Sequence, residues 1–106
     1  MIDKPPTPGQ KIISVLSAIN QCSDPKPVRF GLNELDFAKV TAEISKPLCS
    51  IIVLFGITVA TAPVEEGYVM VYLGSSNSMV KMQDIWLLLH AEEMTRFQRV
   101  IMKSVI

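Results

Sequence analysis

Between Pro47 and Val64 the chain runs for eighteen residues, PLCSIIVLFGITVATAPV, without one charged side chain. A segment this apolar belongs inside a sheet or inside a bilayer, because leaving it in water forfeits the hydrophobic free energy of burial. Its pattern favours the sheet. Ile51, Val53, Phe55, Ile57 and Val59 place β-branched and aromatic residues at alternate positions, and Ser50, Gly56 and Thr58 lighten the other side. Pro47 and Pro63 bracket the run, so a strand is expected within it, with membrane association through residues 47–64 as the second reading. Leu48–Leu54 by itself reads equally well as strand or buried helix. Pro63 through Gly67 supplies turn chemistry, and Tyr68–Leu73 (YVMVYL) is a second strand. The pair is expected to be an antiparallel β-hairpin with a longer loop.

Two helices are expected ahead of the hairpin. After a proline-rich lead-in over residues 1–7, Thr7-Pro8-Gly9-Gln10 has the form of a capping box with proline at the first helical position. Ile12, Ile13, Val15, Leu16 and Ile19 then recur at helical spacing to about Gln21, where Ser23-Asp24-Pro25-Lys26-Pro27 ends the helix. Asn33 is a suitable N-cap for the second helix. Glu34 and Asp36 sit in its first turn, where a negative charge favours the helix dipole, and Pro47 stops it.

Past Gly74-Ser75-Ser76-Asn77-Ser78, residues 79–106 read as one long C-terminal helix. Val80, Leu87, Met94 and Ile101 repeat every seven residues, with His90 and Phe97 three places after Leu87 and Met94. Such a helix would extend about 40 Å, longer than a domain of this size needs. Ile85–Leu89 is apolar nearly all round and suits a core. From Ala91 onward only the stripe Met94, Phe97, Ile101 and Val105 is apolar, and it suits a docking or self-association seam. The expected fold is a single α+β domain over residues 1–106, in the order α-α-β-β-α.

The composition excludes more than it assigns. Ten basic and ten acidic residues cancel, which leaves no electrostatic footprint for nucleic acid. A winged-helix arrangement fails on the same ground, since the would-be recognition helix carries Glu34, Asp36 and Glu43 against Lys39 alone. A mean hydropathy of +0.35 points to apolar surface covered by a partner or by lipid. Cys22 and Cys49 make neither a disulfide framework nor a metal cluster, and both sit beside apolar runs, as buried thiols do. With Asp3 and Lys4 ahead of any apolar run, no secretory signal is read, and a cytoplasmic setting is expected.

Candidate chemistry is sparse. His90 is the single histidine, so a metal site through His90 and Glu93 lacks ligands. A hydrogen-bonding role is expected for it, sensitive to pH at an interface. Neither cysteine has a local nucleophile motif, Glu65-Glu66 and Glu92-Glu93 are adjacent pairs that diverge, and no glycine-rich phosphate loop is present. No catalytic residue, metal ligand or cofactor site is therefore expected. The leading expectation is a non-catalytic protein–protein interaction module, forming a homodimer or small oligomer and binding another protein. Its interface residues would be Trp86, His90, Met94, Phe97, Ile101 and Val105, because aromatic and methionine anchors dominate interface energetics. The third reading is a small-ligand binder or enzyme using His90, Tyr68 and Tyr72.

Overall fold

A computed structural model of the chain describes residues 5–46 and 49–90. Three helices and five strands follow in the order α1 (Pro8–Cys22), β1 (Arg29–Leu32), α2 (Glu34–Glu43), β2 (Ile51–Leu54), β3 (Ile57–Thr61), β4 (Tyr68–Tyr72), β5 (Asn77–Lys81) and α3 (Met82–His90). The strands form one sheet ordered β2-β3-β1-β4-β5, in which β1 runs parallel to β3 and every other pairing is antiparallel.

Both N-terminal helices begin where their caps place them. The Thr7 hydroxyl accepts from the Gln10 backbone N–H at 3.1 Å, and the Gln10 side chain accepts from the Thr7 N–H at 3.0 Å. The Asn33 side chain accepts from the Leu35 N–H at 2.8 Å and also donates to the Val64 carbonyl at 3.0 Å. The α2 cap therefore fastens the β3–β4 connection as well. Where α1 meets α2 the backbones nearly touch. A Cβ added at Gly9 would lie 2.3 Å from the Lys39 carbonyl oxygen, and the Thr7 hydroxyl donates to the Glu43 carboxylate across the same junction.

The expected two-stranded hairpin is corrected to a five-stranded mixed sheet, for three local reasons. First, the uncharged run holds two strands. Leu54 pairs with Ile57, so Phe55 and Gly56 form a two-residue turn, with φ of 55° and 76°. Two left-handed central residues are the pattern of a type I′ turn, which favours Asn-Gly, and a phenylalanine in the first place hides it from a sequence reading. Second, β1 is the short RFGL segment between Pro27 and Asn33. Its last three residues are all buried, so it has no alternation to detect, and its partners lie far along the chain.

Third, the long C-terminal helix from residue 79 is also corrected. Asn77–Lys81 is a strand, and the helix starts at Met82. Leu73 donates to the Ser76 carbonyl at 2.8 Å, so Gly74–Ser76 turns β4 into β5 instead of capping a helix. Within NSMVK, Ser78 and Val80 point inward and Asn77, Met79 and Lys81 outward, a period of two. Val80 thus belongs to the sheet, its spacing to Leu87 is coincidental, and Leu87 is 56% exposed.

Register separates the two faces of the sheet. Ile52, Val59, Phe30 and Val71 pair in succession on one face, with Ile57, Leu32, Val69 and Val80 alongside. These residues join Ile12, Val15, Leu16 and Ile19 of α1, Phe37 and Val40 of α2, and Ile85 of α3 in one core. The described helices therefore all cover the same face. The described residues form two layers, helices over sheet.

Candidate functional site

The opposite face of the sheet carries a row that crosses all five strands. Ile51 pairs with Ala60, Ala60 with Gly31, Gly31 with Met70 and Met70 with Met79. Beside it runs a second row of Val53, Thr58, Arg29, Tyr72 and Asn77. None of these residues is in the core cluster. Ile51 is 59%, Val53 64% and Met79 54% exposed. The Arg29 guanidinium lies 5.4 Å from the centre of the Tyr72 ring, which keeps that charge flat against the sheet. β2 gives this face Ile51 and Val53, and its four residues, IIVL, carry no charge.

β2 is also an edge. Sheet edges are normally blunted by lysine, proline, a bulge or a covering element, since their unpaired N–H and C=O groups accept another strand. β5, the opposite edge, ends in Lys81 and leads directly into α3. β2 has no such device within its four residues, and it runs straight into Phe55, an aromatic side chain 46% exposed at φ 55°. A bulky residue in the left-handed region is strained, and strain of that kind persists where the surrounding structure or a function holds it.

A second candidate is a cleft of about 230 Å³ where the first turns of α1 and α2 meet the start of β4 and of α3. Ile12, Val15, Met82 and Trp86 give it an apolar lining. One wall is a polar lock. The buried Asp36 carboxylate accepts from the Gly67 N–H at 2.8 Å, and the Lys39 ammonium lies 3.4 Å from Asp36 and 3.1 Å from Glu66. The Gly67 carbonyl in turn accepts from Met82 N–H at 2.9 Å, so the loop is held between α2 and α3. The hydrogen bond from Lys39 to Glu66, with a further one to Asp36, holds the Lys39 ammonium above the usual lysine range. Lys11 stands 5.4 Å over the Trp86 ring.

Of the predicted interface residues, Trp86 and His90 fall within the described residues. Trp86 is half-buried under Lys11 and packs against the domain's own core. His90 is the last described residue of α3, while Met94, Phe97, Ile101 and Val105 lie outside the described residues. Of the two tyrosines proposed for a pocket, Tyr68 lines the cleft and Tyr72 lies on the open face under Arg29. Cys22 is half-buried, and burial pushes its thiol up against the opposing pull of Lys26. Cys49 is exposed, which corrects its reading as a buried thiol. Among the described residues no group of three His, Cys, Asp or Glu side chains is placed to hold a metal ion. Within the same residues no helix is long and apolar enough to cross a membrane, and residues 51–61 of the uncharged run are accounted for by β2 and β3.

Sequence reasoning missed the β2 edge because edge position is a property of topology. The signal it did contain was the absence of charge across both strands. Comparison of the chain with protein-family models, with curated proteins and with solved structures finds no match to any of them.

Proposed function

We propose that this chain is a non-catalytic protein–protein interaction module that self-associates by pairing β2 with β2 of a second copy. The observation that carries the reading is the edge position of an uncharged strand, IIVL, whose outward residues Ile51 and Val53 are largely exposed. A two-fold antiparallel pairing centred on Ile52 sets Ile51 of each copy opposite Val53 of the other. Residues opposite one another in such a ladder share a face. That register joins two sheets into one of ten strands, keeps the helices of both copies on one side, and doubles the open face on the other. The partner thereby supplies the edge protection that β2 lacks among the described residues. The open face, with Met70, Met79 and Tyr72, is the surface offered to a second protein.

This surface replaces the C-terminal stripe as the basis for self-association, since it rests on described residues. The test is the solution mass of the wild type against the Val53→Lys variant. Val53 is 64% exposed, so lysine is accommodated in the single copy, whereas in the pair it replaces the apolar contact with Ile51 of the other copy by a charge and blunts the edge. The reading expects the wild type at twice the 11.7 kDa chain mass and the variant at once that mass. A wild type that stays at one chain mass at high concentration, or a variant that remains a dimer, overturns it.

A further inference from the structure

Every charge within the five strands is positive, and both charged residues lie on the open face. RFGL, IIVL, ITVAT, YVMVY and NSMVK contain Arg29 and Lys81 and neither aspartate nor glutamate. Arg29 shares its row with Tyr72, and Lys81 follows Met79 on the same side of β5. Met70 and Met79 lie between the two cations, with Tyr72 alongside. The Tyr72 ring is held from two sides. The Arg29 guanidinium stands 5.4 Å from its centre, and a Cβ added at Gly31 would come within 3.3 Å of its Cε2. A ring already fixed loses little freedom on binding. Tyrosine, methionine and arginine are also the residues that interfaces favour. Backbone and charge then narrow what this patch receives. A sheet face offers side chains and no main-chain partner, so the occupant must satisfy its own backbone, as a helix does. A second copy of the same face would set cation against cation, which disfavours it.

We propose that this part of the open face docks an acidic amphipathic helix of a partner protein, with its apolar stripe on Met70, Tyr72 and Met79 and a carboxylate toward each of Arg29 and Lys81. The inference rests on the reading that the open face serves a second protein, and it names that partner's chemistry. From Arg29 to Lys81 is two strand spacings across and four residues along, about 16 Å between Cα positions. A helix covers that distance in about eleven residues, and positions eleven apart fall within about 20° of each other around its axis. The fitting segment therefore carries two acidic residues at about that separation, with apolar residues between them on the same side. The patch spans β1, β4 and β5, away from the β2 edge.

The experiment titrates the ¹⁵N-labelled full chain with a synthetic helical peptide of that pattern, two glutamates with leucines between them, and with its twin carrying glutamine for glutamate. The proposal expects saturable shifts at the Met70, Tyr72 and Met79 amides. The glutamate peptide should bind about threefold to tenfold tighter than its twin, the worth of two exposed ion pairs. Arg29→Gln and Lys81→Gln, each checked for native circular dichroism, should each remove about twofold to fivefold of that affinity and leave the glutamine peptide unchanged. The Val53→Lys variant, altered at the far edge, should bind with wild-type affinity, so loss of self-association and loss of docking are read separately. Equal affinity for the two peptides, glutamate-peptide binding unaffected by both cation variants, or shifts confined to the helix side of the sheet would each overturn the proposal. Binding to phosphatidylglycerol vesicles without binding to the peptide would overturn it as well.

Discussion

The contact between α1 and α2 at Gly9 gives a prediction whose sign is set by competing effects. Alanine is the better helix former, by up to about 1 kcal/mol, so Gly9→Ala should stabilise an isolated helix. In the folded domain the new Cβ would stand 2.3 Å from the Lys39 carbonyl oxygen and 2.5 Å from the Glu43 Cγ. The Glu43 side chain can swing aside, but the Lys39 oxygen is part of the α2 backbone. Reaching an ordinary carbon–oxygen separation of about 3.3 Å requires the helices to part by about 1 Å. A gap of that size forfeits a quarter to a half of the dispersion attraction of the contacts it opens. The affected contacts include those of Ile12, Leu16 and Val40, which are 6%, 0% and 0% exposed.

Overpacking of this kind costs about 1–3 kcal/mol, which exceeds the propensity gain. The expected net loss is about 1–2 kcal/mol, or roughly 4–15 °C in Tm for a domain of this size. Thermal and urea unfolding followed by circular dichroism and Trp86 fluorescence measure it. Because the obstacle is backbone, the double variant Gly9→Ala with Glu43→Ala should remain less stable than Glu43→Ala alone. A Gly9→Ala protein as stable as the wild type, or more stable, would refute the close approach of the two helices.

Other consequences follow from single residues. Phe55→Asn places a residue tolerant of the left-handed region in the β2–β3 turn and should stabilise the chain by about 1 kcal/mol in urea denaturation. The Ser78 hydroxyl points into the core and has no hydrogen-bond partner among the described residues. Ser78→Ala should therefore hold or raise stability, by up to about 1 kcal/mol in the same assay, where most core truncations lower it. Lys39 is held above its ordinary range in the folded state, so its contribution is complete below the unfolded lysine value of about 10.4 and fades as pH rises through the folded one. Stability of the wild type should fall across that alkaline window more steeply than that of Lys39→Met, as read by denaturation midpoints at a series of pH values.

The parts of the fold legible in the sequence were those whose signals are local. The Thr7–Gln10 capping box, the Asn33 cap and the 3–4 spacing of α1 all depend on residues within a turn or two, and each appears in the structure. The parts that were not legible depend on distant partners. β1 is recognisable as a strand only beside β3 and β4, to which it pairs across intervening helix and loop. NSMVK next to MQDIWLLLH shows how a period of two can merge into a helical pattern when no glycine or proline separates them. The candidate site divides in the same way. Lack of charge in the β2–β3 run was visible, but its meaning as an unguarded edge followed only from the strand order. The cleft draws on α1, α2, the β3–β4 loop and α3, and no spacing along the chain brings those residues together.

Amide hydrogen exchange measured against protein concentration reads the pairing of β2 of one copy with β2 of another at the strand itself. In a dimer built on this edge, the β2 amides directed away from β3 gain a hydrogen-bond partner. Their exchange should slow as concentration rises, while amides of the β5 edge exchange at a rate independent of concentration. The Val53→Lys variant should abolish the protection. Concentration-independent exchange throughout β2, or protection appearing at β5 instead, would rule out a dimer built on the β2 edge.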